Sequence, residues 1–170
     1  MRFMSLARST RRSFLILSSS AAFGALVAGP LPGIARAAGG PAPFRLPEAE
    51  WRRRLSPQAF AVLREAATER PYSSPLNNEH RKGLFACAGC ALPLYSSATK
   101  FESHTGWPSF YDHLPQAVIE RADRTLGMKR TEVRCARCDG HLGHVFDDGP
   151  RPTGLRYCLN GLALRFIARS

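Results

Sequence analysis

The sequence predicts a mainly β domain of antiparallel strands, preceded by short helices and stabilised by a zinc site of four cysteines. After Pro71, glycine, proline, asparagine and aspartate residues separate short apolar runs, a spacing typical of antiparallel strands. Two Cys-x-x-Cys pairs, Cys87 with Cys90 and Cys135 with Cys138, provide the four thiolates of a closed tetrahedral zinc site. Together these features indicate a small β fold in which a metal ion joins two loops.

The N-terminal segment, residues 1–37, is predicted to be an export signal outside the folded domain. Arginines without acids precede an apolar run from Phe14 to about Ala28, which serines interrupt and which is too short to span a bilayer. Residues 35–37 form a small-x-small cleavage motif, and residues 9–15 resemble a twin-arginine signal. We expect an exported protein, periplasmic if the source has an outer membrane, with no stable membrane anchor; an uncleaved anchor is the alternative.

The mature chain is predicted to be one small basic domain. Cleavage after Ala37 leaves 133 of the 170 residues, enough for a single domain with a buried core. The net charge falls from +11 to +6, because the removed segment contains five arginines and no acid. This modest, scattered excess indicates no nucleic-acid binding. Since no large apolar excess is visible, we expect a monomer.

The domain is predicted to cover residues 46–170, after a flexible Gly-, Pro- and Ala-rich linker over residues 38–45. Ser56 is a favourable N-cap with proline after it, and the helix it begins is predicted to extend to about Glu69. A shorter helix over residues 48–54 precedes it. Strands are predicted for four short runs, at residues 83–86, 117–120, 131–134 and 162–167.

Structural zinc competes with other uses of the paired cysteines. Disulfides within each pair would close four-residue loops and would add little stability. A redox dithiol would make the protein a thiol oxidoreductase without stoichiometric zinc, and a zinc-ribbon binding module would leave the fifth cysteine unexplained. The turn-like segments around Gly89 and Gly140 favour zinc. Four thiolates leave no open coordination position, so this metal is predicted to be structural and not catalytic.

Cys158, the fifth cysteine, is the candidate nucleophile. Arg156 lies two residues before it, and a nearby cation favours the reactive thiolate. In an extended strand, Arg156, Cys158 and Asn160 share one face while Tyr157 and Leu159 share the other. The first face is therefore predicted to open to solvent. The alternative is an inert buried thiol.

Two histidines and an aromatic turn are further candidates. His141 and His144 are three residues apart, so on a regular strand they project to opposite faces and do not converge on a metal. Period two places His144 beside Phe146, and we rank it above His141 as a proton donor. A structural role for His141 stays equally open. Trp107, in the turn over residues 106–111, is either a core residue or a substrate contact.

Together these segments resemble the type B methionine sulfoxide reductases, which act on the R epimer of the sulfoxide. The resemblance extends from about Trp51 to Ile167. It rests on both cysteine pairs and on the motifs at residues 68–71, 100–103, 106–110, 141–150 and 156–160. It implies two antiparallel sheets in a distorted sandwich or barrel, N-terminal helices, and a zinc site distant from the catalytic cysteine.

The resemblance also implies a role for each polar candidate. Cys158 would attack the sulfoxide sulfur and become a sulfenic acid, and His144 would help to protonate the departing oxygen. Arg156 would favour the thiolate. Asn160 and His141 would orient the site by hydrogen bonds.

Trp107 would receive the S-methyl group of the substrate, and Phe146 would extend that apolar wall.

One departure from the family pattern concerns the regeneration of the thiol. Many members carry a cysteine immediately before Gly-Trp-Pro-Ser-Phe that attacks the sulfenic acid, whereas this chain has Thr105 there. With the other four cysteines on zinc, an external thiol must act. We expect oxidised proteins as substrates and a thioredoxin-like exported partner or a small thiol as reductant.

Overall fold

The computed structural model describes residues 40–127 and 129–169. The predicted export signal over residues 1–37 lies outside the described residues. Within these ranges the chain is mainly β, with two antiparallel sheets and two short helices, so the predicted fold class is confirmed. None of the described helices has the length and apolar character needed to cross a membrane.

Two short helices precede the sheets. Helix α1 covers Glu48–Arg54 and helix α2 covers Pro57–Glu65. The Oγ atom of Ser56 accepts a hydrogen bond from the N–H of Ala59 at 3.1 Å, which confirms the predicted N-cap. The predicted end of α2 near Glu69 is wrong. Ala66 adopts a left-handed conformation with φ 55°, which ends the helix and directs the following residues toward Trp107 and Asn160.

The strands form a three-stranded and a six-stranded sheet. Their bounds are β1 Gly83–Cys87, β2 Pro93–Ser96, β3 Lys100–Phe101, β4 Ser109–Phe110, β5 Val118–Asp123, β6 Arg130–Cys135, β7 His141–Phe146, β8 Arg156–Leu159 and β9 Leu164–Ala168. The smaller sheet has the order β2-β1-β9 and the larger one has the order β3-β4-β8-β7-β6-β5. Each of the four predicted runs contains a strand, but a 3₁₀ turn over Gly161–Ala163 replaces the first two residues of the last one.

An aromatic core joins the two sheets. Phe85 of β1 and Phe110 of β4 meet edge to face with ring centroids 4.9 Å apart. Tyr95 of β2 stacks on Phe110 at 4.6 Å. All three side chains are fully buried, and such pairs add to the stabilisation from buried area. The core therefore fixes β4, and with it the neighbouring strand β8 that carries Cys158.

The segment before helix α1 already packs on the domain at Phe44, two residues before the predicted boundary at residue 46. Phe44, which falls in the predicted linker, packs against Trp51 with ring centroids 5.7 Å apart. Its N–H donates to the carbonyl of Arg137 at 2.8 Å. The segment before α1 is thus attached to the loop that carries the second cysteine pair.

Candidate active site

The four paired cysteines converge at the ends of β1 and β6. Their Sγ atoms all lie within 4.8 Å of one another, with Cys87 to Cys138 at 3.6 Å and Cys90 to Cys135 at 3.5 Å. A tetrahedral zinc ion with Zn–S bonds of about 2.3 Å requires sulfurs about 3.8 Å apart. The cluster is buried and fits such an ion closely. It could hold a metal, with every coordination position taken by the protein.

Glycines let helix α2 pack directly on both loops that carry the paired cysteines. A Cβ atom on Gly140 would lie 2.9 Å from Cδ2 of Leu63 and 3.3 Å from the sulfur of Cys138. A Cβ atom on Gly89 would lie 3.6 Å from Cδ1 of the same leucine. Leu63 is fully buried. The fold therefore uses this leucine to close the two loops around the sulfurs.

Sheet register places the nucleophile candidate in a row of polar residues. Ser109 of β4 and His144 of β7 are the direct partners of Cys158 on its two sides. Glu132 of β6 is in turn the partner of His144. Directly opposed residues of antiparallel strands project to the same face, with Cβ atoms about 5 Å apart. The larger sheet thus brings the thiol and the histidine side by side.

The prediction that His141 and His144 project to opposite faces is wrong. The register between β6 and β7 shifts by one residue, so that Leu142 has no partner on β6. Such a bulge adds one residue to a single strand and reverses the alternation of its side chains. His141 returns to the face of His144, and their ring centroids lie 5.5 Å apart.

His141 is a buried, oriented histidine. Its Nδ1 donates to the carboxylate of Glu132 at 2.7 Å, and burial lowers the pKa of the imidazole more than this carboxylate raises it. Among the described residues, its buried Nε2 has no hydrogen-bond partner. A neutral ring with Nδ1 protonated carries a lone pair on Nε2. His141 therefore presents an acceptor next to His144.

His144 is held by a carboxylate that the sequence reading missed. Its Nε2 donates to Oδ2 of Asp123 at 2.8 Å. The same aspartate accepts hydrogen bonds from the hydroxyl and N–H of Thr125 and from the guanidinium of Arg130. The Thr125 bonds, followed by the bond from His144, hold the pKa of this carboxyl well below its usual range. Asp123 lies at the end of β5, twenty-one residues before His144, so only strand pairing brings them together.

Cys158 is a partly buried thiol and not an exposed thiolate. Burial raises the pKa of the thiol, and the opposing effects of the Thr105 hydroxyl and of the Arg156 guanidinium are smaller. Arg156 is also neutralised by a bidentate ion pair with Asp148, both N–O distances being 2.8 Å. Its guanidinium lies 4.5 Å from the ring centre of Phe146. The Arg156 guanidinium lowers the pKa of the thiol, but burial raises this pKa by more.

Asn160 lines the same cleft as Cys158, as predicted, but it is buried rather than open to solvent. Strand β8 ends at Leu159, and Asn160 is 3% exposed before the 3₁₀ turn. Its Oδ1 accepts from the N–H of Glu69 at 2.9 Å and its Nδ2 donates to the carbonyl of Leu142 at 3.1 Å. It therefore ties the end of β8 to the segment after α2 and to the bulge of β7.

Glu69, for which the sequence predicted no role, connects Trp107 to the 3₁₀ turn after β8. Its backbone carbonyl accepts from Nε1 of Trp107 at 3.1 Å. Its carboxylate accepts from the N–H groups of Gly161 and Leu162 at 2.6 and 2.9 Å. The early end of α2 makes this possible, since the extended chain that follows reaches the site.

The candidate active site is a cleft of about 150 Å³ around Cys158. Trp107 and Phe146 form its apolar wall, and His144, Arg130 and Asn160 contribute polar groups. None of the four paired cysteines lines it. A groove of about 800 Å³ beside α2 is larger but its lining contains neither a thiol nor an imidazole. The smaller cleft is therefore the one equipped for chemistry.

The cleft combines a partly buried thiol with an imidazole on the neighbouring strand, and it is separate from the four-cysteine cluster. These features are typical of cysteine-dependent enzymes. Comparison with known proteins is more specific: the SelR domain family matches residues 55–168. The chain belongs to this family, that of the type B methionine sulfoxide reductases.

Curated relatives match along most of their length. The peptide methionine sulfoxide reductase MsrB of Agrobacterium fabrum is 54% identical over 120 residues, covering 70% of this chain and 89% of the relative. The protein of the same name from Thiobacillus denitrificans is 55% identical over 120 residues, with coverages of 70% and 91%. That of Bradyrhizobium diazoefficiens is 56% identical over 119 residues, with coverages of 69% and 86%.

Proposed function

We propose that the protein reduces the R epimer of methionine sulfoxide in oxidised proteins to methionine. The observation that carries this proposal is the direct pairing of Cys158 with His144 beside the apolar wall of Trp107 and Phe146. This arrangement brings a thiol, an imidazole and an aromatic surface around one small cleft, which supports the roles of nucleophile, proton donor and methyl-binding surface. The names of the curated relatives support the same substrate class.

The first step is a two-electron exchange between Cys158 and the substrate. The sulfur of Cys158 attacks the sulfoxide sulfur, and His144 supplies a proton to the sulfoxide oxygen so that it can leave. The oxygen is transferred to the Cys158 sulfur while the new sulfur–sulfur bond breaks and its electron pair returns to the substrate sulfur, so the cysteine becomes a sulfenic acid and the substrate leaves as methionine. The thiol proton of Cys158 replaces the proton that His144 supplied. His144 is suited to this role because Asp123 holds its Nε2, leaving Nδ1 as the remaining nitrogen for the substrate.

Substrate orientation comes from the aromatic wall. The soft methyl and sulfur groups of methionine pack favourably on aromatic rings. The ring of Trp107 is held by its bond to Glu69, and Phe146 is held under the guanidinium of Arg156. Two fixed rings on one side and polar groups on the other distinguish the methyl and oxygen substituents of the sulfur, which is the basis of epimer selection.

Regeneration requires an external thiol. Attack of that thiol on the sulfenic acid releases water and forms a mixed disulfide, which a second external thiol reduces to restore Cys158. Thr105 has its Oγ1 atom 3.7 Å from the Cys158 sulfur, and it cannot form a disulfide. A thioredoxin-like exported protein or a small thiol is the proposed reductant.

The metal and the location complete the proposal. Zinc is the ion we assign to the four-cysteine cluster, since four thiolates at tetrahedral spacing suit it. When bound it supplies structural cross-linking of two loops and takes no part in the reaction. The protein is proposed to be a monomer exported by a twin-arginine signal, and periplasmic where the source has an outer membrane.

The test is turnover of the two separated sulfoxide epimers with dithiothreitol as reductant. The parent chain is expected to reduce the R epimer alone, and Cys158→Ser is expected to abolish the reaction while keeping the metal. Equal use of both epimers would contradict the selectivity, and activity in Cys158→Ser would contradict the nucleophile.

A second measurement tests the route of regeneration. Protein oxidised by the sulfoxide without reductant is treated with a sulfenic-acid trap and analysed by peptide mass spectrometry. The expected product is a trapped sulfenic acid at Cys158. An internal disulfide would contradict the need for an external thiol.

A further inference from the structure

Three hydroxyl groups connect the sulfur of Cys158 to a backbone carbonyl. Oγ1 of Thr105 lies 3.7 Å from the Cys158 sulfur and 2.8 Å from Oγ of Ser103. Oγ of Ser103 lies 2.7 Å from Oγ of Ser109. The Ser109 hydroxyl donates to the carbonyl of Trp107 at 3.1 Å. Four hydrogen-bonded contacts thus run in series from the thiol to the carbonyl.

The direction of every bond in this series is determined while Cys158 is a thiol. The carbonyl of Trp107 has no proton, so Ser109 must donate to it. Each hydroxyl has one proton, so Ser103 then donates to Ser109, and Thr105 donates to Ser103. The thiol proton is the fourth donor and completes the series by pointing at Thr105. Within this series, four protons satisfy the four contacts in one way. The Ser109 hydroxyl and the Arg156 guanidinium also face the Cys158 sulfur and favour its ionised form.

Loss of the thiol proton breaks this arrangement. Three protons remain for four contacts, so one contact must be lost. A sulfur anion is the strongest acceptor in the series, and a hydrogen bond to an ion is about twice as strong as a neutral one. The Thr105 hydroxyl must therefore rotate from Ser103 toward the sulfur, and the contact that is lost is a neutral one between oxygens.

We propose that Thr105 is a catalytic residue whose hydroxyl stabilises the Cys158 thiolate, and that Ser103 opposes it by competing for the same proton. Thr105 touches the reacting sulfur, whereas Ser103 is a positioning residue that acts through it. The proposal rests on the proposed role of Cys158 as the nucleophile. It gives Thr105 a function in the attacking step itself.

The competition predicts opposite effects of two substitutions. Thr105→Val removes the donor to the anion with little change of volume, so the pKa of Cys158 rises. Ser103→Ala removes the competing acceptor, so the Thr105 hydroxyl serves the anion without loss of another bond and the pKa falls. Thr105→Ser keeps the hydroxyl and keeps the parent value.

The experiment measures the rate of Cys158 alkylation by iodoacetamide as a function of pH, using the full metal-loaded protein. Peptide mass spectrometry assigns the modified residue, and Cys158→Ser gives the background. Only the thiolate reacts, so at a fixed pH below the pKa the rate reports its population. We expect about a tenfold slower rate for Thr105→Val and about a fivefold faster one for Ser103→Ala, the size of one hydrogen bond in each case.

The outcomes separate this proposal from the proposed function, because alkylation requires no sulfoxide. A slower Thr105→Val, a faster Ser103→Ala and a parent-like Thr105→Ser support the proposal. An unchanged Thr105→Val, or a Ser103→Ala that is not faster than the parent, overturns it. Metal content and circular dichroism check that each variant is folded, and a general loosening of the site would shift both variants in one direction.

Discussion

Replacing Glu69 by glutamine is expected to destabilise the protein by about 3 kcal/mol. The carboxylate is part of a residue only 7% exposed, and its two oxygens accept from the N–H groups of Gly161 and Leu162. A glutamine can accept one of these bonds with its single oxygen, and its amide N–H groups then face the other N–H. Losing a hydrogen bond to a charged group costs about 1.5–3 kcal/mol, and leaving a buried donor unpaired costs about 1–3 kcal/mol.

This change is a large part of the total stability, which for a domain is about 5–15 kcal/mol. Urea unfolding of the zinc-loaded protein measures it, and with a slope of about 2 kcal/mol per molar the midpoint should fall by about 1.5 M. The slope itself should not change.

Glu65 is the matched control. Its side chain is 53% exposed and pairs with Arg52 at 3.3 Å on the surface. Exposed ion pairs contribute about 0–1 kcal/mol, so Glu65→Gln should move the urea midpoint by no more than about 0.5 M. Equal midpoints for the two variants would refute the assignment of Glu69 as the acceptor that stabilises the turn.

Three further changes test other parts of the molecule. Cys135→Ser should lose the bound metal and leave the chain unfolded at about 25 °C, because structural zinc contributes about 10–16 kcal/mol to the stability of such domains. Cys158→Ser, the control, should keep one zinc. Metal analysis and circular dichroism measure both variants. Asp123→Asn should lower kcat for sulfoxide reduction about tenfold with little change in KM. The amide can still orient the His144 ring, but it lacks the negative charge that favours the protonated imidazole. An unchanged kcat in steady-state assays would contradict this. Thr105→Cys places a thiol against the Cys158 sulfur and should form an internal disulfide after one turnover, and thiol counts that do not fall by two would argue against it.

Local sequence signals predicted much of the fold. The N-cap at Ser56 and the short helix over Glu48–Arg54 are confirmed, since helix ends depend on nearby residues. The end of α2 was missed, because apolar spacing continued past Ala66 while the backbone there turned left-handed. The face to which the side chains at the start of β7 project could not be predicted either, because a single extra residue opposite β6 reverses their alternation.

The site shows the same division. Cysteine spacing pointed to the metal cluster, and the lone Cys158 with its aromatic neighbours pointed to the cleft. No role was predicted for Asp123, nor for Glu69 although it stands in the motif at residues 68–71, since each acts on residues that are distant along the chain. In the sequence alone, nothing distinguishes these two carboxylates from those of exposed acidic residues, because their hydrogen-bond partners are brought to them only by the folded chain.

Residue types and their spacing therefore specify which groups are present: four paired cysteines that could hold a metal, one unpaired thiol, and the helices and strands that carry them. How those groups behave depends on the packed fold. Burial raises the pKa of the Cys158 thiol in spite of Arg156, and the β7 bulge places both histidines on one face. The physical reason is that residue types and short spacings are local properties, whereas desolvation, register and long-range hydrogen bonds exist only after distant segments have packed together.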